Sequence, residues 1–248
     1  MNKTVLGIYA HPDDAEFLCA GTLRHLHMMD WNVHIATMAP GDKGTAEHDR
    51  EEISAIRTAE AARAVQMLDG TYHCLWFEDV YIMYDRQSIN AAAALIRQVK
   101  PDLVLTHSPE CYMVDHEMTA KIVQTACFAA GMKNLETEEP VYGRVPHLYY
   151  SDAMENKNRF GERLQMKIKV DISGHITFKE QMLACHASQR DWLMKHHQLD
   201  EYILAMKRSA ASRGEEIGVA YAEGFNQHLG HGFPQDDLLK ELLGDLVR

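Results

Sequence analysis

Eight residues near the N-terminus, Tyr9-Ala10-His11-Pro12-Asp13-Asp14-Ala15-Glu16, concentrate polar groups able to do chemistry. His11 offers a neutral imidazole. Asp14, three residues on, offers a carboxylate within reach of the same ion after one helical turn. Asp13 points elsewhere and is free to act as a base. With His116, far along the chain, His11 and Asp14 complete a set of two imidazoles and one carboxylate, which leaves coordination positions open for water and substrate. Two neutral ligands and one anion leave net positive charge on a divalent metal, enough to acidify a bound water and polarise a carbonyl. Asp13 can take the proton from that water and hand it to a departing amine. The chemistry is metal-assisted hydrolysis, of an amide in the first place, with a nearby protonated His sharing the oxyanion. The plain alternative is a capped helix, since Asp is a common N-cap and Pro a common first helical residue. A cap accounts for one Asp, not for His-Pro-Asp-Asp at the end of an apolar run.

The elements that must position these groups are legible around them. The run Lys3 to Ala10 reads as a strand, and Asp13 to Asp30 as a helix with Phe17, Leu18, Leu23 and Leu26 near one face. The partial positive charge of the first helical turn favours ionised Asp13 and Asp14. Further strands are expected at Asn32–Ala39, Tyr72–Phe77 and Asp102–His107, and helices at His48–Leu68, Ser88–Val99 and from Asp115 to about Gly131. Alternating strands and helices imply right-handed crossovers and a mostly parallel, Rossmann-like α/β sheet flanked by helices. Ligands bind such sheets at the carboxyl ends of the strands, where His11, Asp79, His107 and His116 all fall. No G-x-G-x-x-G follows the first strand, so dinucleotide binding is disfavoured. Beyond Pro140 strands are expected at 146–150 and 166–171, then helices over Ile176–Leu193 and Asp200–Arg213. Residues 140–248 are read as completing the sheet and walling the pocket, with the core in about 3–135 and the whole chain one domain.

Composition sets bounds on the rest. The 248 residues suit a single domain, and 46% hydrophobic content suits a real core. A formal net charge of −11 argues against a nucleic-acid or anionic-membrane surface. Five cysteines with no C-x-x-C pair argue against a disulfide scaffold or a Cys-based zinc site. No signal peptide and no run of membrane-spanning length is apparent, which makes the cytoplasm the expected location. Apolar surface expected in the C-terminal half is compatible with a homo-oligomer.

Ala10-His11-Pro12-Asp13-Asp14, Arg57-Thr58-Ala59-Glu60-Ala61 and Asp115-His116 together resemble the PIG-L / LmbE-like family of metal-dependent N-deacetylases. The resemblance covers about residues 3–130. His186-Ala187-Ser188-Gln189 and Tyr221-Ala222-Glu223-Gly224-Phe225 extend it more weakly. It implies a Rossmann-like fold and a zinc ion (Fe2+ being an alternative occupant) held by His11, Asp14 and His116. It further implies Asp13 as general base and an N-acetylglucosamine-type amide deacetylated to a free amine and acetate. Arg57 and Asp79 match positions that contact the sugar in relatives. One departure stands out: where the family often reads His-Pro-Asp-His, this chain reads Met113-Val114-Asp115-His116. Met113 cannot donate a hydrogen bond or carry a proton. His107, His186 and His228 are the candidates to fill the gap. His186 is taken as the catalytic replacement, because Asp115 then keeps a partner to orient, and His107 and His228 are placed among the substrate contacts.

Two rivals come from other classes. A non-catalytic sugar- or partner-binding module would account for Met113, but retention of Asp13 beside a full ligand set speaks against it. An Fe(II)-dependent oxygenase also uses two His and a carboxylate, but its H-x-D/E spacing on a β-barrel does not fit His11-x-x-Asp14 in an α/β pattern.

Overall fold

The computed structural model describes residues 3–190 and 201–248. Seven strands form one sheet: β1 (Thr4–Tyr9), β2 (Asn32–Thr37), β3 (Thr71–Cys74), β4 (Leu103–Thr106), β5 (His147–Ser151), β6 (Ile168–Asp171) and β7 (Ala222–Gln227). Their spatial order is β3-β2-β1-β4-β5-β7-β6. The first five are parallel, and β7 runs antiparallel to both β5 and β6. The chain thus winds one way from β1 to β3 and the other way from β1 to β4 and β5. The carboxyl ends of β1 and β4 flank the crevice where that direction reverses, the usual place for a ligand in an open α/β sheet.

Helices α1 (Asp14–His27), α2 (Arg50–Gln66), α3 (Arg86–Val99), α4 (Val114–Ala129), α5 (Ile176–Leu183), α6 (Glu201–Ile217) and α7 (Leu238–Leu243) cover both faces. Both faces of β1 are buried, which is why Val5-Leu6-Gly7-Ile8-Tyr9 is an unbroken run rather than an alternation. Val5 and Tyr9 pack with Leu23, Val65 and Met182 on one face. Leu6 and Ile8 pack with Ile96, Ile122 and Val123 on the other.

Three differences from the sequence expectation have physical causes. The run at 222–227 is a strand that fills the gap between β5 and β6. Its Ala-Glu-Gly start weakens the strand signal, and Glu223 is tolerated only because Lys179 pairs with it and Gly21 N, Thr22 N and Thr22 Oγ1 donate to it. The helix expected over 176–193 stops at Leu183 and breaks at residues 184–186, after which 187–190 are helical again; Leu193 and Asp200 lie outside the described residues. The break turns His186 inward. Finally, large exposed apolar side chains gather at Trp76, Val80, Tyr81, Met83, Tyr112 and Val114 rather than chiefly in the C-terminal half.

Candidate metal centre and its surroundings

Two helix N-termini converge on the crevice. β1 ends at Tyr9, and the turn His11-Pro12-Asp13 delivers Asp14 into the first turn of α1. β4 ends at Thr106, and after the loop 108–113 Asp115 and His116 open α4. Asp13 occupies the N-cap position, yet its side chain makes no capping bond. Its φ of 104° lies in the left-handed region, which is costly for a residue with a Cβ. Backbone strain of this kind persists where the surroundings over-determine it, and here it points the carboxylate into the crevice.

His11, Asp14 and His116 each present one ligand atom, and these atoms lie within 4.8 Å of one another. His11 Nδ1 is 3.5 Å from Asp14 Oδ2, and His116 Nε2 is 3.5 Å from Asp14 Oδ1. The two separations run to different oxygens of Asp14, and one atom from each residue lies close enough to the others for the three to share a small divalent cation. The outward nitrogen of each ring is engaged elsewhere. His11 Nε2 meets Asp115 Oδ2 at 3.1 Å, and His116 Nδ1 meets Cys111 Sγ at 3.2 Å. Burial, with His107 beside it, pushes His116 well below the usual imidazole value. Burial opposes charge on His11 too, but the bonds to Asp115 and Asp14 outweigh it and raise that ring to about 10. Burial likewise works against Asp14, yet His116, His107 and His11 around it keep the carboxyl well below its ordinary range.

Beside this set, Asp13 Oδ2 accepts a 2.5 Å bond from the Tyr202 hydroxyl and lies 3.4 Å from Arg57 Nη2. Burial raises the Asp13 carboxyl above its usual range, while the Arg57 guanidinium pulls it the other way. Asp115 Oδ2 also accepts the backbone N–H of Val80 at 2.6 Å. Val80 holds a φ of 75°, a conformation that disfavours a β-branched residue.

Of the residues expected to contact substrate, Arg57, Asp79 and His107 are buried beside the crevice. Arg57 is 4% exposed; its Nη2 donates to Pro12 O at 2.7 Å, and Gly41 and Gly44 pack so closely on the guanidinium that a Cβ at either would come within 2.6 Å of it. Asp79 is buried and accepts from Gly41 N and Lys43 N, stapling the loop after β2. His107 is buried behind the centre, its Nε2 3.0 Å from both Ala10 N and Asp14 Oδ2 and its ring stacked on His116 at 3.9 Å. These three build the walls and floor of the centre. His228 is not at the centre: its N–H donates to Leu148 O and its ring meets Tyr150 and Phe233. The antiparallel direction of β7 carries its end toward the amino ends of the parallel strands, on the opposite rim.

His186 does stand near Asp13, close enough for its charge to be felt there, but it is fully buried. Its Nε2 is 3.3 Å from Glu16 Oε1, out of hydrogen-bond alignment, and both ring nitrogens lack a hydrogen-bond partner among the described residues. Ser188 is pinned by Glu60 of α2, which fixes this segment against the rim. The sequence reading did not pick out Tyr202, Glu16, Val80 or Cys111. The Glu at 16, two residues beyond the motif, carried a weak signal. Tyr202 carried none, since nothing local ties it to Asp13 across 189 positions.

Known proteins resemble this chain in sequence and in fold. The family model described as PIG-L, GlcNAc-PI de-N-acetylase, matches residues 6–127. Diacetylchitobiose deacetylase of Thermococcus kodakarensis is 27% identical over 199 residues, spanning 75% of this chain and 70% of that protein. Among solved structures, the N,N'-diacetylchitobiose deacetylase of Pyrococcus horikoshii complexed with its inhibitor MPG superposes with a TM-score of 0.79 at 24% identity, covering 95% of this chain and 88% of that one. The 4-carboxy-2-hydroxymuconate hydratase of Pseudomonas putida KT2440 gives 0.76 at 21% identity, covering 95% and 99%. These two structures share the fold.

Proposed function

Starting from a chain whose residues 6–127 belong to the PIG-L family, we propose that it is an amidohydrolase that removes acetate from an N-acetylglucosamine-type sugar or conjugate. The observation that carries the reading is the Asp13 carboxylate, strained into the crevice beside a ligand set whose spacing suits a small divalent cation. His11 Nδ1, Asp14 and His116 Nε2 would hold that cation, zinc by preference and Fe2+ as the alternative. When bound, it supplies Lewis acidity toward water and the amide carbonyl.

The chain's own residues do the proton work. Tyr202 and Arg57 both address Oδ2 of Asp13, leaving Oδ1 to accept the proton of the attacking water. The same carboxyl then returns the proton to the amine nitrogen as the C–N bond breaks, giving acetate and a free amine. Burial raises Asp13 above an ordinary carboxylate, which makes it a better base, and Arg57 works against that rise. Asp115 fixes the ring of His11 through Nε2, as outer partners of metal-binding histidines do. His186 is too deeply buried to touch substrate; it lies beside Glu16 and bears on Asp13 through space.

The test is release of primary amine, read with fluorescamine, from zinc-loaded protein offered N-acetylglucosamine, N,N'-diacetylchitobiose and longer N-acetylated oligomers. Amine release that disappears on Asp13→Asn is expected. Silence across the whole panel, with zinc bound at one per chain, refutes the reading.

A further inference from the structure

The two ring ligands have unlike outer partners. His11 leans on a carboxylate, whereas His116 leans on a thiol. Cys111 Sγ lies 3.2 Å from His116 Nδ1, and both residues are buried. The residue is anchored through its own backbone and the first turn of α4. The backbone N–H of Cys111 itself donates to Glu117 Oε1 at 3.0 Å, and Glu117 is in turn paired with Arg159. The other ring nitrogen, Nε2, faces Asp14 at 3.5 Å. A cation held at Nε2 takes the lone pair of that nitrogen, so the ring's hydrogen is on Nδ1 and the sulfur is the group placed to accept it.

We propose that Cys111 is a positioning residue for the metal centre: its sulfur accepts the Nδ1–H of His116 and thereby fixes the ring's tautomer and angle for a cation held at Nε2. The inference rests on the metal reading above and goes beyond it. A thiol sulfur is a weak acceptor, so it orients His116 without the added basicity that a carboxylate lends His11. The centre is consequently asymmetric, with one strongly and one weakly supported imidazole.

The experiment measures zinc affinity by chelator competition on metal-stripped full-length protein, for the wild type, Cys111→Ala and Cys111→Ser. Outer-partner losses typically weaken metal binding 10–100-fold. Cys111→Ala is expected to bind zinc about tenfold or more weakly, and Cys111→Ser, which restores an acceptor, to stay within about threefold of wild type. Circular dichroism of the metal-free proteins confirms that both variants fold. Nitrogen-15 correlation spectra of the zinc-loaded wild type should show His116 protonated at Nδ1. The inference is overturned if Cys111→Ala binds zinc as tightly as wild type, if Cys111→Ser is as weak as Cys111→Ala, or if His116 carries its proton at Nε2. A wild type that takes up no zinc overturns the metal reading itself, and that outcome is distinct from the other three.

Discussion

Tyr202→Phe isolates the contact that tunes the base. The substitution removes one oxygen and leaves the ring packing of a half-buried residue nearly intact. What is lost is a 2.5 Å hydrogen bond to Asp13 Oδ2. Hydrogen bonds to a charged group contribute about 1.5–3 kcal/mol, and this one favours the ionised carboxylate over the protonated acid. At the lower figure, Asp13 without Tyr202 holds its proton about tenfold more tightly, since 1.36 kcal/mol is one decade. The sign follows from the role. A base must be ionised to work, so tighter proton binding moves the acidic limb of kcat/KM toward higher pH. On the acid side of the profile the variant should be about tenfold slower than wild type. On the alkaline plateau, where both carboxyls are ionised, the two should agree within about threefold. The assay is amine release from N,N'-diacetylchitobiose across pH 4–9 with metal content checked at each end. A uniform loss at every pH, with the limb unmoved, would show that the hydroxyl does not act through the Asp13 proton and would refute the reasoning.

Other outcomes follow from the same geometry. Asp13→Asn should lower kcat by about 10²–10⁴, the usual worth of a positioned proton acceptor, while zinc content measured by elemental analysis stays at the wild-type level. Val80→Gly keeps the N–H that reaches Asp115 and releases a left-handed β-branched residue. Relief of about 1–2 kcal/mol set against a glycine entropy cost of about 0.5–1 kcal/mol should leave the thermal midpoint equal or higher with turnover retained; a marked drop in both counts against the strain argument. Glu216 resists burial's upward push because Arg163 and Arg213 hydrogen-bond to it, and its carboxyl sits at about 2. A depressed folded-state value adds stability above the unfolded-state value and loses it as pH falls toward 2. Because Glu216 is largely solvent-facing, the effect should be no more than about 1 kcal/mol. Denaturant midpoints of Glu216→Gln and wild type should therefore differ near neutrality and converge in acid.

The centre was legible in the sequence where the chemistry is local or periodic. His11-Pro12-Asp13-Asp14 follows an apolar run and opens a helix, and Asp115-His116 follows another, so chain pattern and a parallel sheet covered on both faces suffice to bring the two motifs to neighbouring strand ends. The alternation of strands and helices through residue 129 likewise fixes the parallel half of the sheet. What only the tertiary structure decided is which way side chains turn once they arrive. Arg57 is closed in by Gly41, Gly44 and Pro12, and Asp79 is tied to the loop after β2, packing that neither residue's neighbours in the chain announce. His228 follows closely on a stretch that resembles the family, yet an antiparallel strand delivers it to the far rim. Tyr202 and Cys111 reach the centre through single contacts, one spanning 189 positions and the other crossing a loop with no repeat to betray it. Motifs encode groups that are near in sequence or repeat along an element; strand direction, helix packing and the burial that shifts a carboxyl arise only when distant segments meet.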